Sequence, residues 1–234
     1  MVLKFLKWFI AVACVISLII TVLFTSVDYW SVQNKEFYRQ QYVENDVYDF
    51  IEIEEDELMR VTDVLLDYLS GKRDSLYVEA EYNGGVSDFF DEIEKAHMID
   101  VQVLYVACIW LRRIAFAVLL AGIIALMKMK ADVKGVLAKS YIAVTTALLG
   151  IGGVLAVIIS RDFKAAWWMF HEILFTNDLW LLDMSVSKLV NMVPLDFFMN
   201  LVLRIAVTFV AAIIIFYIVS LVIVFKRKKT QVVK

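Results

Sequence analysis

One proline and eight glycines in 234 residues leave the chain nearly without the residues that build turns and loops. That scarcity excludes a disordered or loop-rich protein. The only two cysteines, Cys14 and Cys108, both fall inside long apolar runs, so no disulfide is expected to staple the polar segments. Metal-ligand spacings, glycine-rich phosphate loops and G-x-S-x-G elbows are missing, and no metal or nucleotide cofactor is expected. Basic residues nowhere gather beside aromatic platforms on a polar face, which argues against a nucleic acid partner.

Apolar residues fill the space instead, at 62% of the chain against about 45–50% in an average soluble protein. A helix needs roughly 20 apolar residues to cross the hydrocarbon of a bilayer. Trp8 to Val27 and Tyr141 to Ser160 each supply such a run without a charged side chain. Val101 to Met127 is long enough but carries Arg112 and Arg113, and Phe197 to Phe225 carries Arg204 near its start. The fold class expected is an all-α membrane protein with four transmembrane helices and a small extracellular, mostly helical cap.

The charges are sided. Lys4, Lys7, Lys128, Lys130, Lys134, Lys139, Lys226, Arg227, Lys228, Lys229 and Lys234 share one side with Asp132 as its only acid. The segment from Asp28 to Asp100 holds twenty acids against six bases. By the positive-inside rule both termini and the 128–139 loop face the cytoplasm. Residues 1–27 are then a cytoplasmic N-terminus and first span, and 28–100 an extracellular cap. Residues 101–160 hold the second and third spans, 161–196 an extracellular interfacial segment, and 197–234 the fourth span with a basic cytoplasmic tail. The first run is longer than a signal-peptide core and ends in Phe24-Thr25-Ser26-Val27-Asp28 with no A-x-A site, so it reads as an uncleaved anchor. On this reading the protein is a multi-pass membrane protein, with membrane lipid around it.

Within the cap, Leu58, Val61, Leu65 and Tyr68 recur at helical spacing and Gly71 follows as a C′ residue. Leu76 to Tyr82 alternates as a strand does, before a turn at Asn83-Gly84-Gly85. From about Asp88 a helical pattern runs on into the second span, and the acids of these helices are expected on a solvated face. In 161–196, Phe163, Trp167, Phe170 and Leu174 fall on one helix face behind Arg161, Asp162 and Lys164, the pattern of a helix lying in the headgroup plane. A second short helix should end near Val193, because Pro194 disfavours continuation. In the third span, Gly150, Gly152, Gly153 and Ala156 are expected to allow close helix packing.

The chain has two histidines, His97 and His171, from different segments but at one expected depth, just above the outer membrane surface. His97 precedes the second span by about one turn, with Asp100 at i+3; His171 lies one turn after Trp167. Two imidazoles there can act as general base and general acid near neutral pH. The structural alternative is a pair of interface histidines with water-facing nitrogens. Arg112 and Arg113 should lie about a turn inside the outer boundary and Arg204 at it, positions suited to gripping a phosphate or a developing oxyanion. Snorkelling, or a ladder of Asp196, Asn200 and Arg204 at i, i+4 and i+8, is the structural alternative. Most aromatics at this depth suit an ordinary interfacial belt, but Trp180, between Asn177 and Asp183, points to a shaped pocket.

Certain stretches then resemble a known family. They are His97-Met98-Ile99-Asp100-Val101, the run His171-Glu172-Ile173-Leu174-Phe175-Thr176-Asn177-Asp178-Leu179-Trp180-Leu181-Leu182-Asp183, and Met192-Val193-Pro194-Leu195-Asp196-Phe197-Phe198. They resemble the bacterial lipoprotein intramolecular transacylases, four-helix membrane proteins under an extracellular cap. The resemblance implies an acyltransferase that acts on a diacylated lipoprotein, moving the sn-2 acyl chain of its diacylglyceryl-cysteine to the α-amino group of the same cysteine. It also implies two catalytic histidines, which map onto His97 and His171. Ester-to-amide transfer runs downhill, consistent with the missing cofactor signatures. Trp167 and Trp180 would wall the pocket, and Arg112, Arg113, Arg204 or Asn177 would face substrate or oxyanion. Two other classes compete: a non-enzymatic sensor or adaptor with an acidic extracellular cap, and a transporter, which the nearly featureless first and third spans disfavour.

Overall fold

The computed structural model describes residues 1–82 and 84–232; Asn83 of the expected turn and Lys234 of the basic tail lie outside them. Nine α-helices appear among the described residues: α1 (Val2–Asp28), α2 (Lys35–Glu44), α3 (Val47–Ile51), α4 (Glu55–Leu69), α5 (Glu92–Lys128), α6 (Val133–Arg161), α7 (Phe163–Leu174), α8 (Lys188–Met192) and α9 (Leu195–Val232). A π-helical turn, Tyr29–Gln33, follows α1, and a two-stranded hairpin of β1 (Glu79–Tyr82) and β2 (Gly85–Asp88) precedes α5. Four of the helices are long and apolar enough to cross a membrane: Val2–Gln33 with its π turn, Glu92–Lys128, Val133–Arg161 and Leu195–Lys228. The connection between α5 and α6 is shorter than expected, since α6 already begins at Val133.

The chain divides into two compact units. The first contains Met1–Val27, Trp110–Arg161 and Ile205–Lys234. Its centre is α1, whose Val15 and Ile19 pack with Tyr141 of α6 and Ile213 of α9. The Tyr141 hydroxyl donates to the Ile213 carbonyl at 3.1 Å, so the one strongly polar group in that cluster is satisfied. A second cluster joins Ala11, Cys14 and Leu126. The close-packing glycine is Gly122, where a Cβ would collide with the Cys14 sulfur. At Gly150, Gly152 and Gly153 a Cβ would meet nothing, and Ala156 is exposed, so the packing role expected of them moves to α5. Asp132 pairs with Arg227.

The second unit contains Asp28–Ile109 and Asp162–Arg204. Asn34 caps α2 by accepting from the Phe37 N–H at 3.2 Å. The helix turns Phe37, Tyr38 and Tyr42 inward, and Phe197 tilts against Phe37 and Tyr38 at 5.2 and 5.1 Å between ring centroids. In α4 the stripe Leu58, Val61, Leu65 and Tyr68 is buried as its spacing predicts. The helix ends in a Schellman motif: Lys72 N–H donates to the Asp67 carbonyl, Gly71 N–H to the Tyr68 carbonyl, and Gly71 has φ +73°. β1 and β2 pair antiparallel from Glu79 opposite Asp88 to Tyr82 opposite Gly85. Leu76, Val78 and Ala80 are buried while Tyr77, Glu79 and Glu81 face out, the alternation read in the sequence.

Candidate active site

Helix α5 begins four residues later than the sequence pattern predicts, and the reason is a capping box. Asp91 accepts from the Glu94 N–H at 2.8 Å, and the Glu94 carboxylate accepts in return from the Asp91 N–H at 2.8 Å. Glu94 is not solvated as expected of these acids: it is 0% exposed. Its other oxygen accepts from the Ser187 hydroxyl at 2.6 Å and from the Leu189 N–H at 2.7 Å, so one carboxylate joins the starts of α5 and α8. Ser187 in turn caps α8 by accepting from the Val190 N–H at 3.2 Å. This clamp was missed in the sequence, although the Asp91-x-x-Glu94 spacing before an apolar run is its signal. His97 stands three residues after Glu94, on the first turns of a helix anchored in this way.

His171 is placed by α7, capped by Asp162, which accepts from the Ala165 N–H at 2.9 Å. The face that α7 turns into the unit runs through Phe163, Trp167 and His171; Phe170 and Leu174, expected on that face, are exposed. Spacing of i, i+4 and i+8 therefore describes the helix better than the 4-3-4 pattern. The reason is that His171 takes the buried place, closed over by residues from the following loop.

The two histidines, remote in sequence, meet with ring centroids 6.2 Å apart and planes tilted by 34°. Each is 8% exposed. Phe175 lies against both, 5.3 Å from His97 and 5.5 Å from His171. Trp180 stacks on His171 at 5.0 Å, and Trp167 meets it edge-on at 4.6 Å. Trp167 is itself stacked on Phe198 at 4.2 Å, and Trp168 meets Trp180 edge-on at 4.7 Å while its indole N–H donates to Glu172 at 3.0 Å. Phe175, Trp168 and Phe198 belong to this wall although sequence reasoning left them in a general aromatic belt. All these residues lie in the second unit.

Ring nitrogens are set differently in the two histidines. His171 Nδ1 lies 2.8 Å from the Trp167 carbonyl, which can only accept, so Nδ1 carries the hydrogen and Nε2 keeps a lone pair. Burial holds the His171 pKa below the ordinary imidazole value, against the opposing pull of that carbonyl. His97 Nδ1 is buried without a hydrogen-bond partner. A hydrogen there would be an unsatisfied buried donor, so the favoured neutral tautomer of His97 carries its hydrogen on Nε2. One ring offers a lone pair and the other an N–H, and a 6.2 Å separation lets one carbonyl group lie within hydrogen-bond reach of both.

The remaining expected site residues divide. Asn177 donates its side-chain amide to Asp100 at 2.8 Å. Arg204 lies over the faces of Trp30 and Phe37, at 5.3 and 5.8 Å. Asn200 of the expected ladder donates to Gln41 at 2.7 Å. Arg113 lies over Trp110 at 5.0 Å, and both Arg112 and Arg113 belong to the first unit, whereas the rings around the histidines all come from the second.

Comparison with known proteins gives a consistent result. No curated protein matches the chain. Among solved structures, the membrane integral lipoprotein intramolecular transacylase Lit from Bacillus cereus superimposes with a TM-score of 0.74 at 21% identity, covering 97% of this chain and 99% of that one. Two further structures of the Bacillus cereus protein, one with a histidine replaced by arginine and one with a histidine replaced by alanine, each give a TM-score of 0.72 at 21% identity. They cover 97% of this chain, and the chain covers 96% and 97% of them. That likeness fixes the fold as one of a multi-pass membrane protein. The family model of the lipoprotein intramolecular transacylase Lit matches residues 12–198, most of the chain and every residue of the imidazole site, and the protein therefore belongs to this family of membrane acyltransferases.

Proposed function

We propose that this site moves the sn-2 acyl chain of a diacylglyceryl-cysteine lipoprotein onto the α-amino group of the same cysteine, giving the lyso-form lipoprotein. The observation that carries the reading is the meeting of the two histidines, 6.2 Å apart inside an aromatic wall. His97 and His171 are the catalytic pair. The free lone pair on His171 Nε2 takes the proton that the attacking amine must lose. The Nε2–H of His97 donates a hydrogen bond to the carbonyl oxygen as negative charge develops, and the protonated His171 then passes its proton to the glyceryl oxygen as it leaves. The amine–carbon bond forms, the carbon–oxygen bond breaks, and one proton has passed from nitrogen to oxygen.

Ester and amine belong to one molecule, so the enzyme's main task is to fold that molecule into attack geometry and keep water away. Trp167 and Trp180 shape the wall. Asn177 orders the loop between Phe175 and Trp180, and Arg204 braces the Trp30 and Phe37 rings; Arg112 and Arg113 face lipid phosphate or substrate. The sidedness of basic residues supports an outward-facing site, with both termini cytoplasmic, 28–100 as cap and 161–196 along the outer interface. The exposed apolar residues of α7, among them Met169 and Ile173, support a helix lying against lipid.

The test is mass spectrometry of the N-terminal lipopeptide after purified protein in detergent meets a diacylated lipoprotein. Wild type should leave the total mass unchanged while one acyl chain becomes amide-linked. His97→Ala and His171→Ala should each lower the rate by about 10²–10⁴-fold. Conversion by both variants at the wild-type rate would remove the histidines from the mechanism.

A further inference from the structure

Asp100 follows His97 by three residues on α5. Its Oδ2 accepts from the Asn177 amide at 2.8 Å, and Asn177 is held in turn by accepting from the Leu179 N–H at 3.0 Å. Asn177 lies between Phe175, which touches both imidazoles, and Trp180, which stacks on His171. The carboxylate is thus fixed at the edge of the imidazole site, about one helical turn after His97.

The other acids near the site are already engaged. Glu172 accepts from the Trp168 indole, and Glu94 is sealed by three donors. Asp100 is half-buried, its Oδ1 accepts from no protein donor, and among the described residues it forms no ion pair. A carboxylate removed in part from water, with one oxygen accepting from no protein donor and no ion pair among the described residues, suits a cation from outside. The substrate supplies one if the transacylase reading of this site holds, on which this inference rests. An N-terminal amine has a pKa of about 7.7–8.0 and arrives mostly as an ammonium at neutral pH.

We propose that Asp100, oriented by Asn177, is the binding residue for the α-ammonium of the lipoprotein's N-terminal cysteine, and that it delivers this nitrogen to the imidazole pair. The carboxylate holds the cation beside the site. Once the ammonium has released one proton to water, the neutral amine is held less tightly and is free to attack, and the His171 Nε2 lone pair remains for the second proton, lost during the attack.

Binding probes that cannot react separate this role from others. One is a lipopeptide whose two chains are ether-linked, with a free α-amine; the second is the same molecule N-acetylated. Full-length wild type in detergent should bind the free-amine probe about tenfold more tightly than the acetylated one, as a charge-assisted contact implies. Asp100→Asn keeps an acceptor for Asn177 and loses the charge. It should erase the preference while leaving affinity for the acetylated probe unchanged, which also reports that the variant is folded. Absence of preference in wild type, persistence of it in Asp100→Asn, or equal weakening of both probes would each overturn the proposal. Turnover of the ester-linked substrate by wild type is scored separately, so a failed transacylase reading is not confused with a failed ammonium site.

Discussion

Two imidazoles in contact cannot both carry charge inside an aromatic wall without a partner for each, and this governs how the site responds to pH. Burial depresses the His171 pKa below the ordinary value of 6.5. A general base works in its neutral form, and a group with a lowered pKa is neutral at pH 7. The value of kcat should therefore hold at neutral pH and fall only below pH 6.5, measured as a kcat–pH profile with saturating substrate. The ratio kcat/KM is less suitable because the free substrate amine itself titrates at about 7.7–8.0. An acid limb centred above pH 6.5 would mean that the His171 pKa is raised rather than lowered by its surroundings. Stability follows the same sign. The unfolded chain takes up the proton first, so the contribution of a neutral buried His171 is present above pH 6.5 and is lost as pH falls toward the folded value. At this scale the histidines themselves were legible, being the only two. Their tautomers were not, because the Trp167 carbonyl beside His171 Nδ1 and the burial of His97 Nδ1 without a hydrogen-bond partner are products of packing.

Helix boundaries were legible wherever a local device sets them. Gly71 ends α4 because a left-handed C′ residue closes the Schellman motif, and α8 stops at Met192, two residues before Pro194. Glu94 is the contrary case. In a run of twenty acids it looks like one more solvated carboxylate, yet it is buried and joins α5 to α8 across more than ninety residues. Glu94→Ala would leave the Ser187 hydroxyl and the Leu189 N–H without their acceptor, a cost of about 2–4 kcal/mol, whereas Ser187→Ala removes a cap and one bond for about 1 kcal/mol. Thermal unfolding in detergent should rank the two in that order. Equal effects would show that Glu94 matters only through Ser187. The glycine-rich stretch of α6 misled for the same reason as Glu94: composition marks where close packing is permitted, and only a neighbouring element, here α1 against Gly122, makes use of it.

For the molecule as a whole, the charge map yields an orientation that labelling can check. In a background of Cys14→Ala and Cys108→Ala, Ser75→Cys should react with a membrane-impermeant maleimide in intact cells, and Lys228→Cys only after permeabilisation. The opposite pattern would overturn the outward-facing site. The division into two units also explains the mixed fate of the expected site residues. Trp167, Trp180 and Asn177 share a unit with both histidines, and so does Arg204, which is committed to aromatic faces. Arg112 and Arg113 belong with the spans.

The four membrane spans and the segregation of charge were written into the order of residues, because hydrophobic run length is a local property; α2 and α3 were not read from it. The alternation of the first strand and the inward stripe of α4 were readable for the same reason, whereas the second strand, Gly85–Asp88, was not read. The meeting of His97 with His171, the rotation of α7 that buries the second ring, and the burial of Glu94 against Ser187 depend on contacts across 70 to 95 residues. Such contacts form only when whole elements pack. No local spacing encodes them, and chemistry that needs two side chains in one place is decided there.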